Sequence, residues 1–183
     1  MKYNVLYVDP PWSYNNKKTG GSLISGSASK YPTMTQKELL TLDINKVAME
    51  DSILFMWATT PLIDEAFLLM NTWGYAYKTM ITWEKTGRLG MGFWFRVNTE
   101  HLLVGVRGEV KPFRCSSKNI LSLPTSKHSR KPPEFRTLIE KATTSIPNRS
   151  MLEMFAREVS VGWECWGTDI DGVDIRDKIS TQP

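Results

Sequence analysis

Cysteine and histidine are scarce, with two of each in 183 residues. Cys115 and Cys165 fit no Cys-x-x-Cys spacing, so free thiols in a reducing compartment are expected rather than a disulfide. His101 and His128 sit in no ligand pattern, and no metal is expected. No apolar run approaches the ~20 residues that span a bilayer, which excludes a spanning helix, and no membrane partner is expected. The opening MKYNVLYVDPPW has neither the apolar core nor the cleavage site of a signal peptide, so a cytoplasmic location is expected, in a bacterial host if the source is a phage. There is no GxxxxGK[ST] phosphate loop and no GxSxG nucleophile elbow. GRLGMG at 87–92 has glycines without GxGxxG spacing and reads as a turn.

What is present describes an ordinary globular chain, 41% hydrophobic and 23% charged. Its length predicts a single domain over 1–183 with a sizeable core. A net charge of +4 and a pI near 9.0 suit a polyanionic partner without demanding one.

Strand and helix signals alternate. YNVLYV (3–8) reads as a buried strand. Thr35 and Glu38 form a capping-box pattern that opens a helix to about Val47. SILFMWA (52–58) is a continuous apolar strand, and Thr60-Pro61 is an N-cap and first-turn proline for a helix reaching Trp73, ended by Gly74. Strands follow at 75–83 and 100–108, then a basic, irregular region, a helix at 133–143, and strands at 150–156 and 159–167. The polar tail from Thr168 is expected to fray. Such alternation predicts an α/β fold with a mainly parallel sheet. Residues 13–30, SYNNKKTGGSLISGSASK, are polar and longer than a usual connection, which suggests a lid or binding loop.

DPPW at 9–12 follows the first strand, at the carboxyl end where α/β folds bind ligands. Two prolines remove two N–H donors and leave carbonyls. Ionised Asp9 is acceptor-only. Asp9, Pro10 and Pro11 thus form a rigid set of acceptors beside the Trp12 ring, suited to an amino group on a flat heterocycle. Acceptors drawing on the two hydrogens of an adenine amine would free its lone pair for attack on a positioned methyl sulfonium. Trp12 would hold the base by stacking.

With DPPW and six further anchors in order, the sequence resembles the MT-A70 family of adenine-N6 methyltransferases. The anchors are YPTM (31–34), ILFMWATTP (53–61), WGYAYKTMITWEK (73–85), EHLLVGVRG (100–108), HSRKPPE (128–134) and LEMFAREVSVGWECWG (152–167). The resemblance implies a Rossmann-like methyltransferase fold with permuted, beta-class motif order. It implies S-adenosylmethionine as cofactor and S-adenosylhomocysteine as product, with Asp9, Pro10, Pro11 and Trp12 catalytic and Asp9 also near the cofactor's methionine part. Lys131 would pair with the cofactor carboxylate, though alone it reads as a solvated lysine ahead of a helix. Glu153 and Phe155 would line the cofactor strand, Arg157 would reach the ribose, and Thr168 and Asp169 would hold the adenine. Tyr14, Asn15, Trp83, Arg96 and Glu100 are expected on the target side. For Trp83 and Glu100, a buried aromatic and an exposed strand-end carboxylate are the plainer alternatives.

Eukaryotic members carry a segment ahead of DPPW that helps hold the cofactor's adenine. Only eight residues stand there in this chain, so that pocket must close differently. With no zinc finger or long accessory region, the expectation leans to a compact prokaryotic or phage enzyme acting on DNA. Base flipping would then be required. The 13–30 loop and the basic stretch Lys111, Arg114, Lys118, Lys127, Arg130 and Lys131 would grip the strand, and a second copy of the chain would help embrace a duplex. RNA as substrate, and an inactive nucleic-acid-binding partner subunit, stay open as alternatives.

Overall fold

Alternate residues of the first strand belong to different cores, and the whole molecule is organised by that split. In the computed structural model, which describes residues 1–13, 33–87, 94–113, 115–125 and 130–183, β1 (Tyr3–Val8) is buried along its whole length. Leu6 and Val8 face one apolar cluster, and Val5 and Tyr7 face the other. β2 (Ala48–Thr59) repeats the division, with Leu54, Met56 and Ala58 on one side and Ile53, Phe55 and Trp57 on the other. Strands covered on both faces need apolar side chains at every position, which explains the unbroken runs in the sequence.

The remaining elements are α1 (Gln36–Leu40), α2 (Ile63–Thr72), β3 (Ala76–Thr86), β4 (Thr99–Arg107), β5 (Ile120–Pro124), α3 (Pro133–Ala142), β6 (Met151–Met154), β7 (Glu164–Trp166), α4 (Thr168–Asp171) and α5 (Ile175–Ser180). The sheet order is β5-β3-β4-β2-β1-β6-β7. Four of the six pairings are parallel, and β4 runs antiparallel to both its neighbours. The α/β, mainly parallel expectation therefore holds. α2 covers one face through Ala66, Leu69 and Met70, and α3 covers the other through Phe135 and Ile139. Because β4 is reversed, its first residues lie at the same sheet edge as the carboxyl ends of the parallel strands. Glu100 stands opposite Thr59 on one side and Trp83 on the other.

Several local expectations need correction. The capping box at Thr35 and Glu38 is present, but α1 stops at Leu40 rather than near Val47. The Thr41 hydroxyl donates back to the Glu38 carbonyl at 2.8 Å, and Asp43 caps a separate 3-10 turn by accepting the Asn45 N–H at 3.2 Å. Thr60 does not cap α2. A 3-10 turn over Thr60–Leu62 precedes that helix, and the Thr60 hydroxyl turns to the Thr99 hydroxyl and the His101 ring, each at 3.3 Å. Gly74 does end α2, with a left-handed φ of 81° that any Cβ would oppose.

β5 arises inside the supposedly irregular basic region. Its half-buried, alternating edge gave little periodic signal over five residues. β6 and β7 are shorter than the apolar text suggested, four and three residues. The tail does not fray. α4 and α5 fold onto the sheet, with Ile175 and Ile179 buried in the first cluster and Lys46 donating to the Ser180 carbonyl at 3.1 Å. Among the described residues, no helix is long and apolar enough to cross a membrane.

Candidate active site

The motif is fixed by main-chain bonds before any side chain acts. β1 ends at Val8, and Asp9 follows with its N–H directed at the Met154 carbonyl of β6. Pro10 accepts the Trp12 N–H at 2.8 Å, and Pro11 accepts the Met34 N–H at 2.9 Å. Trp12 bridges to Met34, so the two ends of the intervening segment are pinned together at the motif. The Trp12 indole N–H donates to the Trp57 carbonyl at 3.1 Å. Only 7% of the Trp12 surface is exposed. Trp12 is thus chiefly an anchor between the motif and β2, and the open stacking face expected of it is reduced to the part bordering a cavity.

That cavity, about 270 Å³, lies along the sheet edge and is lined by Asp9, Pro10, Pro11 and Trp12, with Trp57, Glu100, Lys131, Phe155, Arg157, Thr168 and Asp169 among its further walls. Most of the wall residues end or follow β1, β2, β6 and β7 or begin β4, and Lys131 comes from the segment ahead of α3. At ~4.8 Å between strands, the opening extends ~19 Å along the edge. Five carboxylates and three basic side chains line it. The cavity is net acidic although the chain as a whole carries +4.

At its inner end the charges alternate. The Lys131 ammonium donates to both Asp9 oxygens, at 2.9 and 2.8 Å, and lies 3.2 Å from Glu100 Oε2. Glu100 in turn accepts from Lys85. Lys131 also sits 5.3 Å from the centre of the Trp57 ring. Burial alone would push the Glu100 carboxyl up, but Lys131 and Lys85 more than reverse this and hold it below its ordinary value. For Lys131, burial disfavours the charge, while Asp9 and Glu100 overcome that and raise it above the usual lysine value. Lys131 is therefore a half-buried, paired cation and not a solvated residue ahead of a helix. Glu100 is 8% exposed, which removes the reading of an exposed strand-end carboxylate.

Phe155 follows β6 with a positive φ of 62°, a conformation that costs a bulky residue of order 1–3 kcal/mol. It borders the main cavity and a smaller one of about 40 Å³ beside Glu153. Ala156 donates to the Trp166 carbonyl at 2.9 Å. Gly167 then passes so close to Ala156 that a Cβ would meet its carbonyl oxygen at 2.1 Å. These contacts set the floor between β6 and β7.

Other expected residues lie elsewhere. Trp83 is 2% exposed, packed edge-on to Trp57, with its N–H on the Leu123 carbonyl at 2.9 Å. It is a core residue behind the site and does not line the cavity. Glu153 faces the second core side, where Arg136 grips both its oxygens at 3.0 Å, so it lines only the smaller cavity. Arg96 is exposed on the β3–β4 connection and borders neither. Tyr14 and Asn15, most of the 13–30 loop, residues 88–92 of the glycine turn, and Arg114 and Lys127 of the basic stretch lie outside the described residues.

Four functional candidates escaped the sequence reading. Trp57 was hidden inside an apolar strand. Lys85 stood only as the last residue of the 73–85 anchor, with no role of its own. Glu38 read as a helix cap, and Arg176 belonged to a tail assigned no structure. Their common signal is spatial convergence on one edge, which spacing along the chain does not carry.

The MT-A70 family model matches residues 3–169. The type II methyltransferase M.MunI of a Mycoplasma species is 34% identical over 99% of this chain and 82% of its own length. The human N(6)-adenosine-methyltransferase catalytic subunit METTL3 is 28% identical over 96% of this chain, but over only 30% of its own length. An Arabidopsis thaliana N(6)-adenosine-methyltransferase MT-A70-like protein is 27% identical over 93% of this chain and 24% of its own length. The matched span reaches from β1 through the motif and the inner charge chain to Asp169 beyond the β6–β7 floor, and the chain belongs to the MT-A70 family.

Proposed function

We propose that this protein transfers a methyl group from S-adenosylmethionine to the N6 amine of adenine in DNA. The observation that carries the reading is the placement of Asp9: it stands at the end of β1, on the cavity wall, oriented through both oxygens by Lys131. The cavity suits the cofactor. It is net acidic, matching a ligand whose sulfonium and ammonium outweigh one carboxylate, and its volume is close to the ~300 Å³ lower bound of small-molecule sites. Lys131 and Asp9 would hold the amino-acid end, Phe155 and Arg157 the middle, and Thr168 and Asp169 the nucleoside end.

When bound, S-adenosylmethionine supplies an electrophilic methyl group. The protein's part is orientation and acceptance. A carboxylate offers about four lone-pair positions, and Lys131 uses two of those on Asp9, so a target amine can still donate to it. The Pro10 carbonyl, with one lone pair taken by the Trp12 N–H, has a second free for the other amine hydrogen. Transfer would break the methyl–sulfur bond as the carbon–nitrogen bond forms, releasing S-adenosylhomocysteine and leaving one excess proton on N6, for which Asp9 would be the adjacent acceptor. Buried Trp57 backs this end and limits the access of water to it.

DNA is chosen over RNA on the stronger and longer likeness to the type II methyltransferase. Labelled-methyl incorporation into matched DNA and RNA oligonucleotides tests the choice. Transfer to DNA adenine is expected. Transfer to RNA alone would overturn the substrate, and cofactor binding without transfer to either would favour a partner-subunit role.

A further inference from the structure

The outer end of the cavity has a feature that the motif chemistry leaves unused. α5 brings Asp174, Ile175 and Arg176 to the cavity wall, facing Glu38 of α1. Arg176 is held by its edges. Its Nε donates to Asp174 Oδ1 at 2.9 Å, one terminal nitrogen to Asp174 Oδ2 at 2.7 Å, and the other to Glu38 Oε1 at 3.3 Å. Asp174 is itself fixed, since it caps α5 by accepting the Arg176 main-chain N–H at 2.8 Å. The helix behind is seated by buried Ile175 and Ile179. A guanidinium whose in-plane donors are committed to two carboxylates has few N–H groups to offer a ligand. Its flat face is not engaged by these bonds, and a guanidinium plane stacks on aromatic rings.

Resting on the cofactor reading above, we infer that Arg176, clamped by Asp174 and Glu38, is the stacking platform for the adenine ring of the adenosyl ligand. The docked tail thereby closes the nucleoside end of the cavity. The arrangement suits a flat, electron-rich base, because a guanidinium is only weakly hydrated and one held by its edges is already fixed in orientation. Asp169, which makes no hydrogen bond or ion pair among the described residues, lies on the same wall and is available as an acceptor for the ribose hydroxyls.

The test compares wild type, Arg176→Lys and Arg176→Tyr by isothermal calorimetry with S-adenosylhomocysteine and with 5′-methylthioadenosine, which lacks the amino-acid end. Lysine keeps the charge and loses the plane, so both ligands should weaken by the same factor, about five-fold for a half-exposed stacking contact. Tyrosine restores a flat face without the charge and should recover most of the loss. A lysine variant binding like wild type, or a loss confined to S-adenosylhomocysteine, would overturn the inference.

A second measurement needs only the wild type to fold. The Arg176 Nε–H signal should move upfield under the ring current of added 5′-methylthioadenosine, and an unmoved signal overturns the platform. Wild type that binds neither ligand would sink the cofactor reading as well. Wild type that binds both with no change in the variants would sink only the role of Arg176.

Discussion

The two ends of the cavity hold charge in opposite ways. At the inner end Lys131, Asp9 and Glu100 show side-chain exposures of 14%, 25% and 11%. At the outer end Arg176, Asp174 and Glu38 show 52%, 36% and 42%. The inner group sits where removing a partner strands an unpaired charge away from water. The outer group stands in solvent, where ion pairs stabilise little. Loss of an inner partner should therefore cost the fold more than loss of an outer one, although Glu38 and Asp174 also cap their helices.

This contrast can be broken in graded steps. Asp9→Ala should reduce methyl transfer at least ~100-fold, the scale of removing a preorganised polar group from a reacting centre. Single-turnover assays would read that, and near-normal turnover would end the acceptor mechanism. Lys131→Met keeps the volume and leaves two carboxylates facing each other. A stability loss of about 3 kcal/mol in urea denaturation is expected. Gly167→Ala forces a Cβ onto the Ala156 carbonyl, and the same assay should show a loss of ~2 kcal/mol.

The pH dependence follows from Glu100. Its carboxyl is held below the ordinary 4.5, so its contribution is present above that value and lost as pH falls through the lower folded value. Lys131, raised above 10.5, behaves in the opposite sense and loses its contribution only as pH rises through its folded value. Acid titration of stability should therefore be shallower below about pH 4.5 in Glu100→Gln than in wild type. Smallest of all, Glu38→Gln should leave the thermal midpoint indistinguishable from wild type. A large drop there would erase the distinction between the two ends.

The parts of the fold legible in the sequence are those whose signal is local. β1 and β2 announce themselves because both faces are buried, and the capping box needs only Thr35 and Glu38. The DPPW motif was readable because one tetrapeptide removes donors and supplies acceptors at a strand end. The pairing of Lys131 with Asp9 spans 122 positions, and only the sheet order brings the two together. Trp83 could be read either way, because an indole in a site and an indole in a core look alike until its N–H finds a partner, here the β5 carbonyl. The tail was missed because α5 buries just two isoleucines, too few over six residues to register as amphipathic.

The inner charge chain, Lys85 to Glu100 to Lys131 to Asp9, sums to zero. An electrically balanced and largely buried chain responds little to ions in solution, whereas contacts between exposed lysines and a phosphate backbone weaken steeply with salt. If the protein methylates nucleic acid as proposed, raising the ionic strength should release that substrate while the adenosyl ligand stays in place, so that the two binding steps can be weighed one at a time.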